Sequence, residues 1–136
     1  TTASLAGPVH PPTMTSYTAA KAAVVAISES LRWELEPFGV GVSVICPSFF
    51  RTNLSSSLNA SDPAAAGFAS KLIDRSERGA NEIAAAVMAA LDVGEFLILP
   101  DPDARKSYRG KRLLPAVYAR TMTEMGRRFA AVTGRG

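Results

Sequence analysis

"TSYTAAKAAVVAISESLRW", residues 15–33, places a tyrosine and a lysine four positions apart at the head of an alanine-rich apolar stretch. Ala19, Ala20, Ala23, Val24, Ile27, Leu31 and Leu35 recur at helical spacing, which predicts one long helix from about Ser16 to Glu36. Thr15 or Ser16 offers a cap at its start, and Pro37 with Gly39 ends it. Directly afterwards, "VGVSVIC" at 40–46 is β-branched and almost wholly apolar, as a strand covered on both faces should be. Before the helix, "TTAS" reads as the end of another strand, and the three prolines of "GPVHPPTM" at 7–14 require a loop. Strand, helix and strand together predict a βαβ unit in a parallel sheet.

Working outward, "PSFFRTNL" leaves the strand at its carboxyl end, where open α/β sheets place their ligands. Residues 53–79 are rich in Ser, Ala and Asn, with Asp62-Pro63 and Gly67 as breakers, and read as short, mobile helical pieces. "ANEIAAAVMAALD" at 80–92 predicts a second amphipathic helix, and "EFLILP" at 95–100 a second full strand. A further helix is expected between Pro115 and Phe129.

The composition, 47% hydrophobic and 20% charged, describes a globular protein of one domain's size. No apolar run approaches the roughly 18 residues of a membrane span. Cys46 is the lone cysteine, so neither an internal disulfide framework nor a Cys-based zinc site can be built, and no metal site is expected. A reducing cytoplasm is the expected compartment. Charge divides unevenly. Residues 1–103 hold six Lys/Arg against eleven Asp/Glu, whereas 104–136 hold nine basic residues and only Glu124. The basic tail is read as helix whose Lys and Arg stems cover apolar surface, and no nucleic-acid partner is expected. His10 is read as an ordinary loop histidine, Cys46 as a small core hydrophobe, and Trp33 as a core or subunit contact.

Tyr17 and Lys21, at i and i+4, rise over the same face of their helix. A free tyrosine, near pKa 10, exchanges protons poorly at neutral pH; an ammonium close by favours the phenolate. That is the pairing a general acid–base tyrosine requires. By itself it is weak: three tyrosines and four lysines in 136 residues give about 0.09 chance matches. Ser4 stands thirteen residues earlier, on a strand end followed by the small-residue turn "SLAG". Pro47-Ser48-Phe49-Phe50-Arg51-Thr52 follows the next strand.

In these residues the chain resembles the short-chain dehydrogenase/reductase family. The catalytic half of that family reads Ser, a Gly-containing loop, Tyr-x-x-x-Lys opening a long helix, then Pro-Gly-x-x-x-Thr after the next strand. The resemblance covers roughly residues 1–102. It implies an α/β fold, a three-layer Rossmann-like parallel sheet of which only the carboxyl-terminal half is present. Residues 1–103 would form that half, with 53–79 as the substrate lid, and 104–136 the basic tail. It also implies an oxidoreductase that uses NAD or NADP to interconvert a secondary alcohol and a ketone. Tyr17 would exchange the proton with the substrate oxygen, and Ser4 would hydrogen-bond that oxygen. Lys21 would lower the Tyr17 pKa and hold the ribose hydroxyls. Pro47, Ser48, Phe50 and Thr52 would meet the nicotinamide end of the cofactor, with Tyr17 and Lys21 beside it. Phe49 and Leu54 would line the substrate side with Ser4 and Tyr17; Leu58 and Phe68 are further candidates. A homodimer or homotetramer is implied for the complete enzyme, with the Ala19, Ala20, Ala22, Ala23 and Ala26 face as its contact.

Ser48 departs from the family's glycine, adding a Cβ where the backbone nears the nicotinamide. The family's Gly-rich first turn and the residues that select the adenosine ribose have no counterpart in these 136 positions. The chain is therefore expected to be half of a longer enzyme, and by itself marginally stable, aggregation-prone and inactive. Two rival readings stay open. One is a non-catalytic half-domain that docks through a sheet edge. The other is a sugar-nucleotide epimerase or dehydratase built on the same Tyr-x-x-x-Lys. A serine hydrolase with a lysine base is disfavoured, because no Ser-x-x-Lys and no Gly-x-Ser-x-Gly occurs.

Overall fold

Parallel strand ends organise the molecule. In the computed structural model, which describes residues 1–51, 76 and 78–133, Val44–Ile45 forms β1 and Leu97–Ile98 forms β2, paired in parallel with Val44 opposite Leu97. Thr2 adds a parallel bridge to Ile45 on the other side of β1, so the order is Thr2, β1, β2. Backbone bonds from Ala3 N to Ile45 O (2.8 Å), Val44 N to Phe96 O (2.7 Å) and Cys46 N to Ile98 O (2.8 Å) extend this ladder. The strands are shorter than the expected spans 40–46 and 95–100. Gly41 and Gly94, which lie in those flanks or beside them, weaken strand order, and Gly94 adopts a left-handed φ of +70°.

Helix α1 is the single turn Ala6–Val9, and α2 is Thr15–Leu35, within one residue of the expected helix at either end. A 3-10 turn, Glu36–Phe38, closes α2, with Gly39 in the left-handed region at φ +69°. Helix α3, Ala80–Asp92, connects β1 to β2 and coincides with the expected helix. Helices α4, Pro102–Leu113, and α5, Pro115–Thr133, follow. The basic tail is thus two helices, and the expected boundary at 103/104 falls inside α4, whose Ala104 is fully buried. The expected lid lies almost wholly outside the described residues, with Thr52, Leu54, Leu58 and Phe68 among those not described. Gly79, at its end, bridges Arg51.

The core gathers Ala3, Val44, Cys46, Leu99 and Ala104, with Leu5, Val24, Val25 and Tyr108 packed against it. Side chains alternate across the sheet, so Ile45 and Ile98 face away from Val44 and Cys46; Ile98 is buried too, as are Ile83 and Ala90 of α3. Helix α2 meets this body through a narrow stripe. Ser28, fully buried on it, donates from Oγ to Val24 O at 2.7 Å and pairs with Thr1 Oγ1 at 2.6 Å. The periodicity that predicted the helix also predicted a broader buried face, and here the structure differs. Ala19, Ala20, Ala23, Ala26 and Ile27 are exposed, because α1 and three strand ends cover only the Val24–Val25–Ser28 side. Trp33 is not in the core either. It is 61% exposed, and the Arg32 guanidinium lies 4.8 Å from its ring centroid. Among the described residues no helix is long and apolar enough to cross a membrane, and no group of His, Cys, Asp and Glu could hold a metal.

Cys46 is a core thiol, as expected. Burial pushes its pKa up from 9.0 to about 11, against a smaller lowering by a hydrogen bond with the Ser4 backbone. Because the folded value is raised, its contribution to stability is complete below pH 9.0 and is lost as pH climbs through about 11. The thiolate is the reactive form, so native Cys46 is expected to react with an aromatic disulfide at pH 8 about 100-fold more slowly than in denaturant. Equal rates in the two conditions would show that the thiol is not buried.

Candidate active site

Ser4 follows the first strand end directly and is half-buried. Its Oγ accepts from Ala6 N at 3.3 Å, and its carbonyl accepts from Gly7 N at 2.9 Å, so the serine is tied into the start of α1. The next residue continues the ladder: Leu5 N donates to Pro47 O at 2.9 Å. The seryl turn and the Pro47 loop, forty-three positions apart, therefore meet at the carboxyl ends of adjacent parallel strands.

The same turn docks on α2. A Cβ added at Gly7 would lie 2.8 Å from Lys21 O and 3.2 Å from Val25 Cγ2. Glycine is required here by the closeness of two backbones, not by its φ. One helical turn earlier, Tyr17 is 42% exposed, with Lys21 Nζ 5.6 Å from its ring centroid. Phenol and ammonium thus share one face at the end of α2 nearest the seryl turn, and the ammonium has no carboxylate partner among the described residues.

Beyond β1, Pro47, Ser48 and Phe50 are half-buried and Phe49 is 38% exposed. Ser48 does not present a free amide. Its N–H donates to Asp101 Oδ2 at 3.0 Å, so that part of the expected cofactor contact is already engaged. Asp101 is the residue that sequence reasoning missed. It is 5% exposed and caps α4 by accepting from Ala104 N at 2.8 Å, while its other oxygen holds the Pro47 loop. The cap was readable from an Asp before Pro102 and a helical run; the bond to Ser48, fifty-three positions away, was not. A separate cleft of about 550 Å³ runs along β2, lined by Arg32, Phe96, Leu99, Arg105, Tyr108 and their neighbours. It contains none of the residues nominated from sequence, so it is not the site assembled here.

The parallel strand ends, with the seryl turn, the head of α2 and the Pro47 loop beside their carboxyl edge, form part of a Rossmann-like fold, and that edge is the candidate site. Residues 1–63 match the family model described as short chain dehydrogenase, somewhat under half of the chain. The chain is similar to a short-chain dehydrogenase/reductase from Burkholderia phymatum solved in complex with NAD, at 28% identity and a TM-score of 0.72 over 85% of this chain and 47% of that one. A structure from Novosphingobium aromaticivorans, assigned to the short-chain dehydrogenases, shares 21% identity and a TM-score of 0.54 over 98% of this chain and 45% of that one; it bears on the fold alone. The chain spans about half the length of each of these structures.

If Gly7 sets the docking of the seryl turn on α2, Gly7→Ala should cost about 1–3 kcal/mol, the usual penalty for overpacking. Gly41→Ala, where an added Cβ meets nothing within 4 Å, is the control and should stay within about 0.5 kcal/mol. Chemical denaturation midpoints of the two variants check this. Equal midpoints would mean that the close approach at Lys21 does not constrain the turn.

Proposed function

We propose that these residues supply the catalytic half of an NAD- or NADP-dependent oxidoreductase that interconverts a secondary alcohol and a ketone. The observation that carries this reading is the docking of the Ser4–Gly7 turn on the Lys21 backbone, one helical turn from Tyr17. That contact supports a site shared by serine, tyrosine and lysine at one sheet edge, and the family match over 1–63 covers all three.

The residues present suit the nicotinamide–ribose end of a dinucleotide. Lys21 Nζ offers donors to ribose hydroxyls, and Phe49, Phe50 and the Pro47 carbonyl side bound the space above the strand ends. Thr52, and Leu54 on the substrate side, belong to the same proposal by resemblance. A bound nicotinamide would supply or accept the hydride. The rest falls to this chain. Tyr17 gives its phenolic proton to the carbonyl oxygen during reduction, or takes the alcohol proton during oxidation. Lys21 supplies positive charge beside that phenol, and Ser4 Oγ–H hydrogen-bonds the same substrate oxygen as charge develops on it. The exposed Ala19, Ala20, Ala23 and Ala26 face is where a second subunit would close on α2, giving a homodimer or homotetramer. A reducing cytoplasm suits the buried free thiol of Cys46.

The test uses the chain joined to an upstream cofactor-binding half, with NADH or NADPH oxidation followed over a panel of ketones. Tyr17→Phe should reduce turnover by about 10²–10⁴-fold, the range for loss of a general acid, with cofactor affinity unchanged. Undiminished turnover would remove Tyr17 from the mechanism.

A further inference from the structure

The loop that joins Ser4 to Tyr17 is held from far along the chain. Helix α1 has one turn, so its last carbonyls have no partners of their own within the helix. Two side chains from the carboxyl-terminal helices meet them. Lys111 Nζ on α4 donates to Pro8 O at 2.7 Å, and Tyr118 Oη on α5 donates to Val9 O at 2.8 Å. The same ammonium lies 2.7 Å from His10 Nδ1, which accepts from it. Tyr118 reaches across beside Gly110, where an added Cβ would lie 3.9 Å from the ring, and Gly126 of α5 stands equally close to Pro12. Burial lowers the Lys111 pKa and raises that of Tyr118, as expected for groups removed from water at a packed contact.

The loop needs such support. His10 at φ +59° and Thr13 at φ +71° both occupy the left-handed region without being glycine. The Cβ of each crowds its own backbone there, and such a conformation persists only where the surroundings impose it. The strained segment begins at α1, whose first turn holds Ser4 Oγ, and ends at Met14, whose carbonyl accepts from Thr18 N at the start of α2. Its two ends therefore carry the two groups that the proposed reaction aligns on one oxygen.

We propose that Lys111 and Tyr118 are positioning residues: by gripping the carboxyl end of α1 they hold the 10–13 loop in its strained form and set Ser4 against Tyr17 on the substrate side. Neither residue touches the reacting atoms. The proposal rests on the oxidoreductase reading, and it assigns the basic tail a role inside the site.

Amide hydrogen exchange on the full chain is the first arm of the test. Lys111→Met and Tyr118→Phe should each speed exchange in peptides spanning 7–14 about tenfold, the size expected for one buried hydrogen bond, and leave 44–46 and 83–90 unchanged. Lys111→Arg, which keeps a charged donor, should restore most of the protection. In the second arm, with the upstream half joined, Lys111→Met and Tyr118→Phe should raise KM and lower kcat about tenfold for the ketone that the unaltered protein reduces fastest. The Kd for NADH or NADPH should stay within about twofold, since Lys21 is held within α2 and keeps its place when a loop bond is lost. Unchanged exchange at 7–14, or faster exchange spread evenly over the chain, would overturn the clamp. A local exchange change with kcat and KM unaltered would overturn its role in positioning. If the unaltered protein binds neither cofactor, the oxidoreductase reading fails by itself, and the exchange arm still decides whether the clamp exists.

Discussion

The close approach of Gly7 to the Lys21 carbonyl is the constraint on which the rest of the site depends. A Cβ would sit 2.8 Å from that oxygen, a distance that side-chain carbons essentially never adopt. Only a residue without a side chain lets the seryl turn press against the helix. The turn that carries Ser4 and the Lys21 segment of α2, one helical turn from Tyr17, meet through a backbone contact. The arrangement is stiff for the same reason, since neither backbone can rotate away as a side chain could.

A second tie joins the same turn to the sheet. The parallel ladder sets Leu5 N on Pro47 O, and the buried Asp101 carboxylate joins the Ser48 amide to the first turn of α4. Strand ends, seryl turn and carboxyl-terminal helices thus share one network of backbone and carboxylate bonds. Two of its hydrogen bonds, Leu5 to Pro47 and Ser48 to Asp101, span 42 and 53 residues, so the site forms only when the sheet edge has formed. Long-range closure of this kind is slow and leaves intermediate states with open edges.

Much of this was legible in the residues. Apolar spacing from Ala19 to Leu35 located α2 to within one residue, and the alanine-rich 80–92 segment located α3, because both elements depend on local periodicity. Strand lengths were overestimated, since an apolar run reports burial and not how far ladder pairing continues past a glycine. The exposed side of α2 was misjudged for a related reason. Periodicity shows that one face is apolar, but only the partners decide how much of it is covered. Tyr17, Lys21 and Ser4 were nominated by their spacing, their chemistry and the family resemblance. Asp101, Lys111 and Tyr118 were not, because their bonds join positions fifty to more than a hundred residues apart and leave no local pattern.

The central claim is that the Tyr17–Lys21 end of α2 recognises the nicotinamide–ribose half of a dinucleotide. Saturation-transfer NMR of the chain with nicotinamide mononucleotide addresses that end alone, without any contribution from a pyrophosphate cradle or an adenosine site. The account predicts transfer to the nicotinamide and ribose protons, undiminished by excess AMP and lost in Lys21→Met. No transfer, or transfer that Lys21→Met leaves intact, would contradict it.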